Sequence, residues 1–192
     1  MRKNTYKTVW STYTLVMLGV LVAMTIVLSR FFAIYLGFAR FTLGSVCTIM
    51  AGLWFGPLAG ALSGMVADLL GTILQGFAVN PIITVGAMVW GVIPALMKPL
   101  MGNGKVRKIA VLSVSIALSA LISTLGFTLA GLVLINGYNF YSIFPTRVAQ
   151  FASMTPVYCV LCCCLYFSPV TSVVSGAIQK QESRKAAKMS TR

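Results

Sequence analysis

Apolar residues run along this chain in long unbroken stretches, separated by short links that are polar, basic or marked by glycine and proline. The first stretch extends from about Val9 to Ser29 and stops at Arg30. Its length meets the ~20 residues that a membrane-spanning helix needs. Arg2, Lys3 and Lys7 ahead of it give the layout of a signal peptide, but no small-residue cleavage site follows, so the stretch is read as a retained helix. A second segment, Phe41 to Phe55, ends at the turn-forming pair Gly56-Pro57, and a third runs from Leu58 to Leu74. Pro81 opens a fourth, to Met97, as proline in a first helical turn permits. Beyond the basic link Pro99 to Lys108, a fifth covers Ile109 to Ile135, long enough to cross with tilt, and a sixth covers Thr146 to Phe167. The predicted fold is all-α: an integral membrane bundle of six transmembrane helices forming a single domain over residues 1–170. Residues 171–192 are expected to be a basic cytoplasmic tail, poorly ordered over its last dozen residues.

Composition agrees with a lipid solvent. Hydrophobic residues make up 58% of the chain and charged ones 9%, against roughly a quarter charged in soluble domains. A net charge of +13 would suggest nucleic acid in a soluble protein. Here the positive residues cluster at the ends of apolar segments, which points to topology and lipid headgroups and away from nucleic acid. The links on one predicted side hold Arg2, Lys3, Lys7, Lys98, Lys105, Arg107, Lys108, Lys180, Arg184, Lys185, Lys188 and Arg192; the other side holds only Arg30, Arg40 and Arg147. By the positive-inside rule both termini are expected in the cytoplasm.

Those three remaining arginines lie at or just inside helix ends. An Arg at mid-membrane depth costs on the order of 3 kcal/mol, less near an interface. Snorkelling to headgroups is the plain explanation. Convergence on one mouth is the functional one, with an anion as guest, because guanidinium forks match carboxylate or phosphate. Asp68 is the only acid within the apolar region; it either pairs with Arg30 or Arg40, or accepts hydrogen bonds from a ligand's amino or ring N–H. Around these charges lie Tyr35, Phe77, Asn80, Tyr138 and Tyr141, read as an interfacial belt or as partners for a flat aromatic guest. Gln150 adds a donor and acceptor one turn below Arg147.

Several chemistries are not indicated. The links contain no GxxxxGK[ST] phosphate loop, so a nucleotide-driven step needs another chain. One intramembrane acid and no convincing repeat argue against ion coupling. Neither a nucleophile with its base nor a set of metal-binding carboxylates is present, so no enzyme activity, cofactor or metal is expected. Cys159, Cys162, Cys163 and Cys164 crowd one apolar segment without any histidine, and with Cys47 they read as small hydrophobes. Gly19 and Ala23, four apart, form a small-xxx-small strip suited to close helix approach; Gly52 with Gly56 and Gly60 with Gly64 repeat the spacing.

The strings IVLSRFFAI (Ile26 to Ile34), MAGLWFGPLAGALSGMVADLLG (Met50 to Gly71) and PTRVAQFASMTPVY (Pro145 to Tyr158) together resemble the folate-specific S components of energy-coupling factor (ECF) transporters. The resemblance implies a six-helix, high-affinity vitamin-binding subunit that joins a transmembrane coupling subunit and two cytoplasmic ATPases, and topples in the membrane to release folate inward. It places the partner-docking strip of the first helix at Gly19 and Ala23. Arg30, Asp68, Arg147 and Gln150 fall in the matching strings. A pterin for the aromatics and Asp68, with a glutamate tail for the arginines, fits the residues. An S component for another nutrient such as riboflavin, which has a flat ring but no carboxylate, and a membrane adaptor that binds only other helices are the alternatives.

Overall fold

The computed structural model of the chain describes residues 12–36, 39–102 and 104–190, with side chains for all of these except 34–36, 39, 40, 182 and 184–190. Arg2, Lys3, Lys7 and Arg192, and the side chains of Tyr35 and Arg40, lie outside the described residues.

The chain folds into a bundle of helices. Helix α1 (Thr12–Arg30) leads into an antiparallel ribbon of β1 (Ile34–Leu36) and β2 (Ala39–Phe41), in which Tyr35 is paired with Arg40. The ribbon is an addition to the expected helices: pairing two strands satisfies backbone groups in a link that makes no helical turn. Helix α2 (Gly44–Phe55) and α3 (Pro57–Leu74) follow, separated by one residue. That residue, Gly56, has φ 99°, a conformation that L side chains rarely adopt, and Pro57 starts the next helix where its missing N–H costs nothing. The Asn80 side chain accepts from the N–H groups of Ile82 and Ile83 and so caps α4 (Pro81–Met97), which runs into a 3₁₀ turn (Lys98–Met101).

Helix α5 (Lys105–Leu134) is continuous but not uniform: it is π-helical over Leu121–Thr128 and α-helical on either side. Helix α6 (Phe140–Phe167) begins well before the expected Thr146, because Asn139 caps it at Tyr141 N–H and Pro145 is accommodated inside. The last element, α7 (Pro169–Ser190), packs on the bundle through its first half. Val174 is buried with Leu18, Phe55 and Ala59, Ile178 packs beside it, and Trp54 Nε1 donates to Thr171 Oγ1 at 3.3 Å, so the helix is anchored on α1 to α3.

Helix α2 is the central post. Ile49, Ala51 and Leu53 are fully buried, and Val46, Ile49, Met50 and Leu53 pack with Trp90, Leu112, Ile116, Tyr158 and Cys162 in the main core. Cys162 and Cys47 thus occupy apolar clusters, as small hydrophobes do. Helices α2, α3 and α4 cross in backbone contact. A Cβ on Gly91 would lie 2.5 Å from the Gly60 carbonyl carbon, and one on Gly52 would overlap the Gly91 carbonyl. Where α2 ends, Lys98 Nζ donates to Leu53 O at 2.6 Å, placing a cation at the negative end of the helix dipole.

Among the described residues, five helices are long and apolar enough to cross a membrane: α1, α3, α4 with its 3₁₀ turn, α5 and α6. Leu15, Val16, Ile73 and Val114 stand exposed on their outer surfaces, as they would against lipid. Helix α2, with 12 residues, is shorter.

Candidate functional site

One cavity of about 190 Å³ opens between all six bundle helices. Its position follows from where α2 starts. Gly44, Ser45 and Thr48, the first turns of that helix, line it from one end, so the positive end of the α2 dipole faces the space. The C-terminal turns of α1 contribute Thr25, Ser29 and Arg30, and α3 contributes Asp68. From α4 come Ala87 and Trp90, from α5 Ser123, Thr124 and Thr128, and from α6 Arg147, Gln150, Phe151 and Tyr158.

The charges are tied to different walls. Arg30 reaches across to α3: Nη1 donates to Gln75 Oε1 at 2.8 Å, and Nη2 to Thr72 Oγ1 at 3.1 Å and to the Asp68 carbonyl at 3.4 Å. Its ion pair with Asp68 is long, 3.5 Å between Nη2 and Oδ1, against roughly 2.7–2.9 Å for a strong charge-assisted bond. Asp68 is held more closely by Thr84, whose Oγ1 donates to Oδ2 at 2.8 Å. The pairing of Asp68 with Arg30 left open by the sequence therefore exists, but loosely. On α6 Arg147, only 8% exposed, donates from Nη1 to Gln150 Oε1 at 2.6 Å. Among the described residues, two guanidiniums and one carboxylate line the cavity, a net charge of +1.

Trp90 and Tyr158 supply aromatic surface, edge to face with centroids 5.1 Å apart. The Tyr158 hydroxyl donates to Thr42 O at 2.6 Å, fixing the end of the β ribbon to α6.

Four of the residues expected at the site, Arg30, Asp68, Arg147 and Gln150, are brought together here. Phe77, Asn80, Tyr138 and Tyr141 are not. Phe77 and Tyr141 are 62% and 85% exposed, Tyr138 is also exposed, and none lines the cavity. Asn80 is a structural cap: besides its role on α4, its Nδ2 donates to Gly131 O at 2.9 Å and to Asn136 Oδ1 at 3.0 Å. The wall of hydroxyls was missed. Thr25 with Ser29, and Thr124 with Thr128, are spaced four apart within apolar runs, and that spacing puts each pair on one helical face. Gly19 and Ala23 are exposed on α1, and a Cβ on Gly19 would meet nothing within 4 Å. The glycines of α2 to α4, by contrast, are consumed by packing within the bundle.

Comparison with known proteins fits this architecture. Residues 13–180 match the family model of the ECF transporter substrate-specific component. The folate transporter FolT of Clostridium novyi (strain NT) is 25% identical over 154 residues, covering 77% of this chain and 84% of that protein. The crystal structure of FolT bound with folic acid shares the fold, with a TM-score of 0.69 at 23% identity, over 81% of this chain and 93% of that one. A multi-pass helical bundle whose residues 13–180 match the family model belongs among the substrate-specific components of ECF transporters.

Proposed function

We propose that this chain is the folate-capturing S component of an ECF importer in the cell membrane. In this reading it crosses the bilayer six times over residues 1–170, keeps both termini and the basic residues 171–192 in the cytoplasm, and takes folate from the outer face.

The observation that carries the reading is the placement of Arg30 of α1 and Arg147 of α6 in the lining of one cavity, where Asp68 is the one carboxylate among the described residues to offset them. A net positive cavity favours an anionic guest, and burial strengthens the attraction by lowering the local dielectric. A glutamate tail supplies the carboxylates. A pterin supplies a flat ring for Trp90, Phe151 and Tyr158, and N–H groups for Asp68 or the hydroxyls. The relationship to FolT supports folate over riboflavin, which carries no carboxylate for the arginines.

Release inward needs an energy source outside this chain. The outward-facing strip of Gly19 and Ala23 is the surface on which a transmembrane coupling subunit would dock, linking the chain to two cytoplasmic ATPases. The deciding experiment is mass spectrometry of small molecules released from protein purified in mild detergent, followed by binding of labelled folate. Competition by folinate but not by riboflavin is expected. Absence of folate binding by the isolated chain defeats the reading.

A further inference from the structure

On an α-helical period a residue shares its face with the residues three, four and seven positions on. Counted from Ala120, which lines the cavity, the seventh is Phe127. The cavity wall instead carries Ala120, Ser123, Thr124 and Thr128. Phe127 has turned toward α4, its Cβ 2.9 Å from where a Cβ on Gly86 would sit. The wall lags the α-helical pattern by one residue. The π-helical segment Leu121–Thr128 accounts for the lag, because i→i+5 pairing fits extra chain into the turn. Ser123 fixes this register from inside the bundle: it is 3% exposed and donates from Oγ to Gly86 O at 2.9 Å.

Some threonines of the bundle return their hydrogen bond to the carbonyl four residues back, as Thr25 does to Leu21 O at 2.8 Å and Thr155 to Phe151 O at 2.6 Å. Thr124 and Thr128 make no side-chain hydrogen bond among the described residues, and both border the cavity. Each hydroxyl therefore offers one donor and its acceptor lone pairs to whatever fills that space. Neutral groups of this kind suit a ring edge that alternates donors and acceptors better than they suit a carboxylate, for which the guanidiniums are the stronger partners.

We infer that the π turn of α5 is a specificity device: it withdraws Phe127 from the cavity wall and sets Thr128 beside Thr124, so that both hydroxyls face the neutral, hydrogen-bonding ring of the guest. The inference rests on the folate reading of the site. The change of register exchanges the bulky apolar Phe127 for the hydroxyl of Thr128 beside Thr124, and a site built to hydrogen-bond a ring discriminates against rings that lack the matching groups.

Titration calorimetry of the full chain in detergent tests it, with folate and with pteroate, which keeps the ring and lacks the glutamate. In Thr124→Val and Thr128→Val, shape is nearly retained and the hydroxyl is lost. Each is expected to weaken folate and pteroate by the same factor, about three- to tenfold, as loss of one neutral hydrogen bond does. Thr124→Ser and Thr128→Ser are expected to hold both affinities near wild type, a rescue that general damage to α5 does not allow. Unchanged binding in both valine variants, or a loss confined to folate, overturns the inference while leaving the folate reading intact. Wild-type protein that binds neither compound defeats both. Should a valine variant fail to fold, Thr→Ala at the same position is read by the same criteria.

Discussion

The guanidinium of Arg30 occupies the space that a side chain on Gly71 would fill. A Cβ built on that glycine would lie 3.0 Å from Nη2 and 3.1 Å from Cζ. Glycine at this point of α3 is what lets Arg30 lie against the helix and reach Thr72 and Gln75 together.

Gly71→Ala should therefore separate binding from stability. The obstructing atoms are the far end of a flexible side chain, which can move, and alanine in a helix is favoured over glycine by about 1 kcal/mol. The thermal midpoint is expected to hold or rise. Ligand affinity is expected to fall at least about tenfold as Arg30 is displaced, a change of roughly 1.4 kcal/mol. A calorimetric titration beside a melting curve checks both halves, and unchanged affinity would count against any role for the observed Arg30 pose.

Gly91→Ala should do the opposite. Here the neighbours are backbone atoms of Gly60, not a movable side chain, so a methyl group must force α3 and α4 apart. Overpacking of this kind costs typically 1–3 kcal/mol. A lowered melting temperature and broadened size-exclusion profile are expected, and a wild-type profile would show that the crossing yields more easily than its geometry implies.

Arg147→Ala removes a buried cation from the cavity and leaves the Gln150 carbonyl oxygen without its 2.6 Å donor. Loss of folate binding by about two orders of magnitude, 2–3 kcal/mol, is expected for a charge-assisted contact. Arg147→Lys should recover part of it, because a point charge replaces a planar fork. Full function in Arg147→Ala and Arg30→Ala together, with intact folding, would favour an adaptor that binds only other helices.

Gly19→Leu combined with Ala23→Leu should leave folate binding by the isolated chain unaltered, since neither residue lines the cavity. Co-purification with a coupling subunit and uptake in cells are expected to be lost. If assembly survives, docking uses another face of the bundle.

Much of this architecture was legible in the residues. Long apolar runs marked the helices, and Gly56-Pro57 marked the break between α2 and α3, because few sequences satisfy backbone hydrogen bonds in lipid any other way. Arg30, Asp68, Arg147 and Gln150 stood out because charge and amide groups inside such runs are costly, and the structure places all four at one cavity. Aromatic residues gave a poorer signal. Phe77, Tyr138 and Tyr141 have the composition of an interfacial belt, and their exposure is what a belt requires.

Two features left no mark that composition could reveal. Nothing in LISTLGFT distinguishes a π segment from an α-helix, since the register is set by Ser123 against Gly86 in a different helix. The late start of α2 was hidden because Phe41 to Leu43 continue the apolar run while belonging to the ribbon and its exit. Hydroxyl residues were overlooked for a simpler reason: each Ser or Thr alone is unremarkable in a membrane helix, and only the four-residue spacing of the pairs reports a shared face.

The shortness of α2 defines what a guest adds. Its 12 residues rise about 18 Å, whereas the hydrocarbon region is roughly 30 Å thick. The helix stops some two turns short of that thickness, and its Gly44 end borders the cavity. A molecule seated there braces the surrounding helices against one another. Occupancy and rigidity thus become one property, and a loaded chain should resist heat and proteolysis as a bundle whose central strut has been completed.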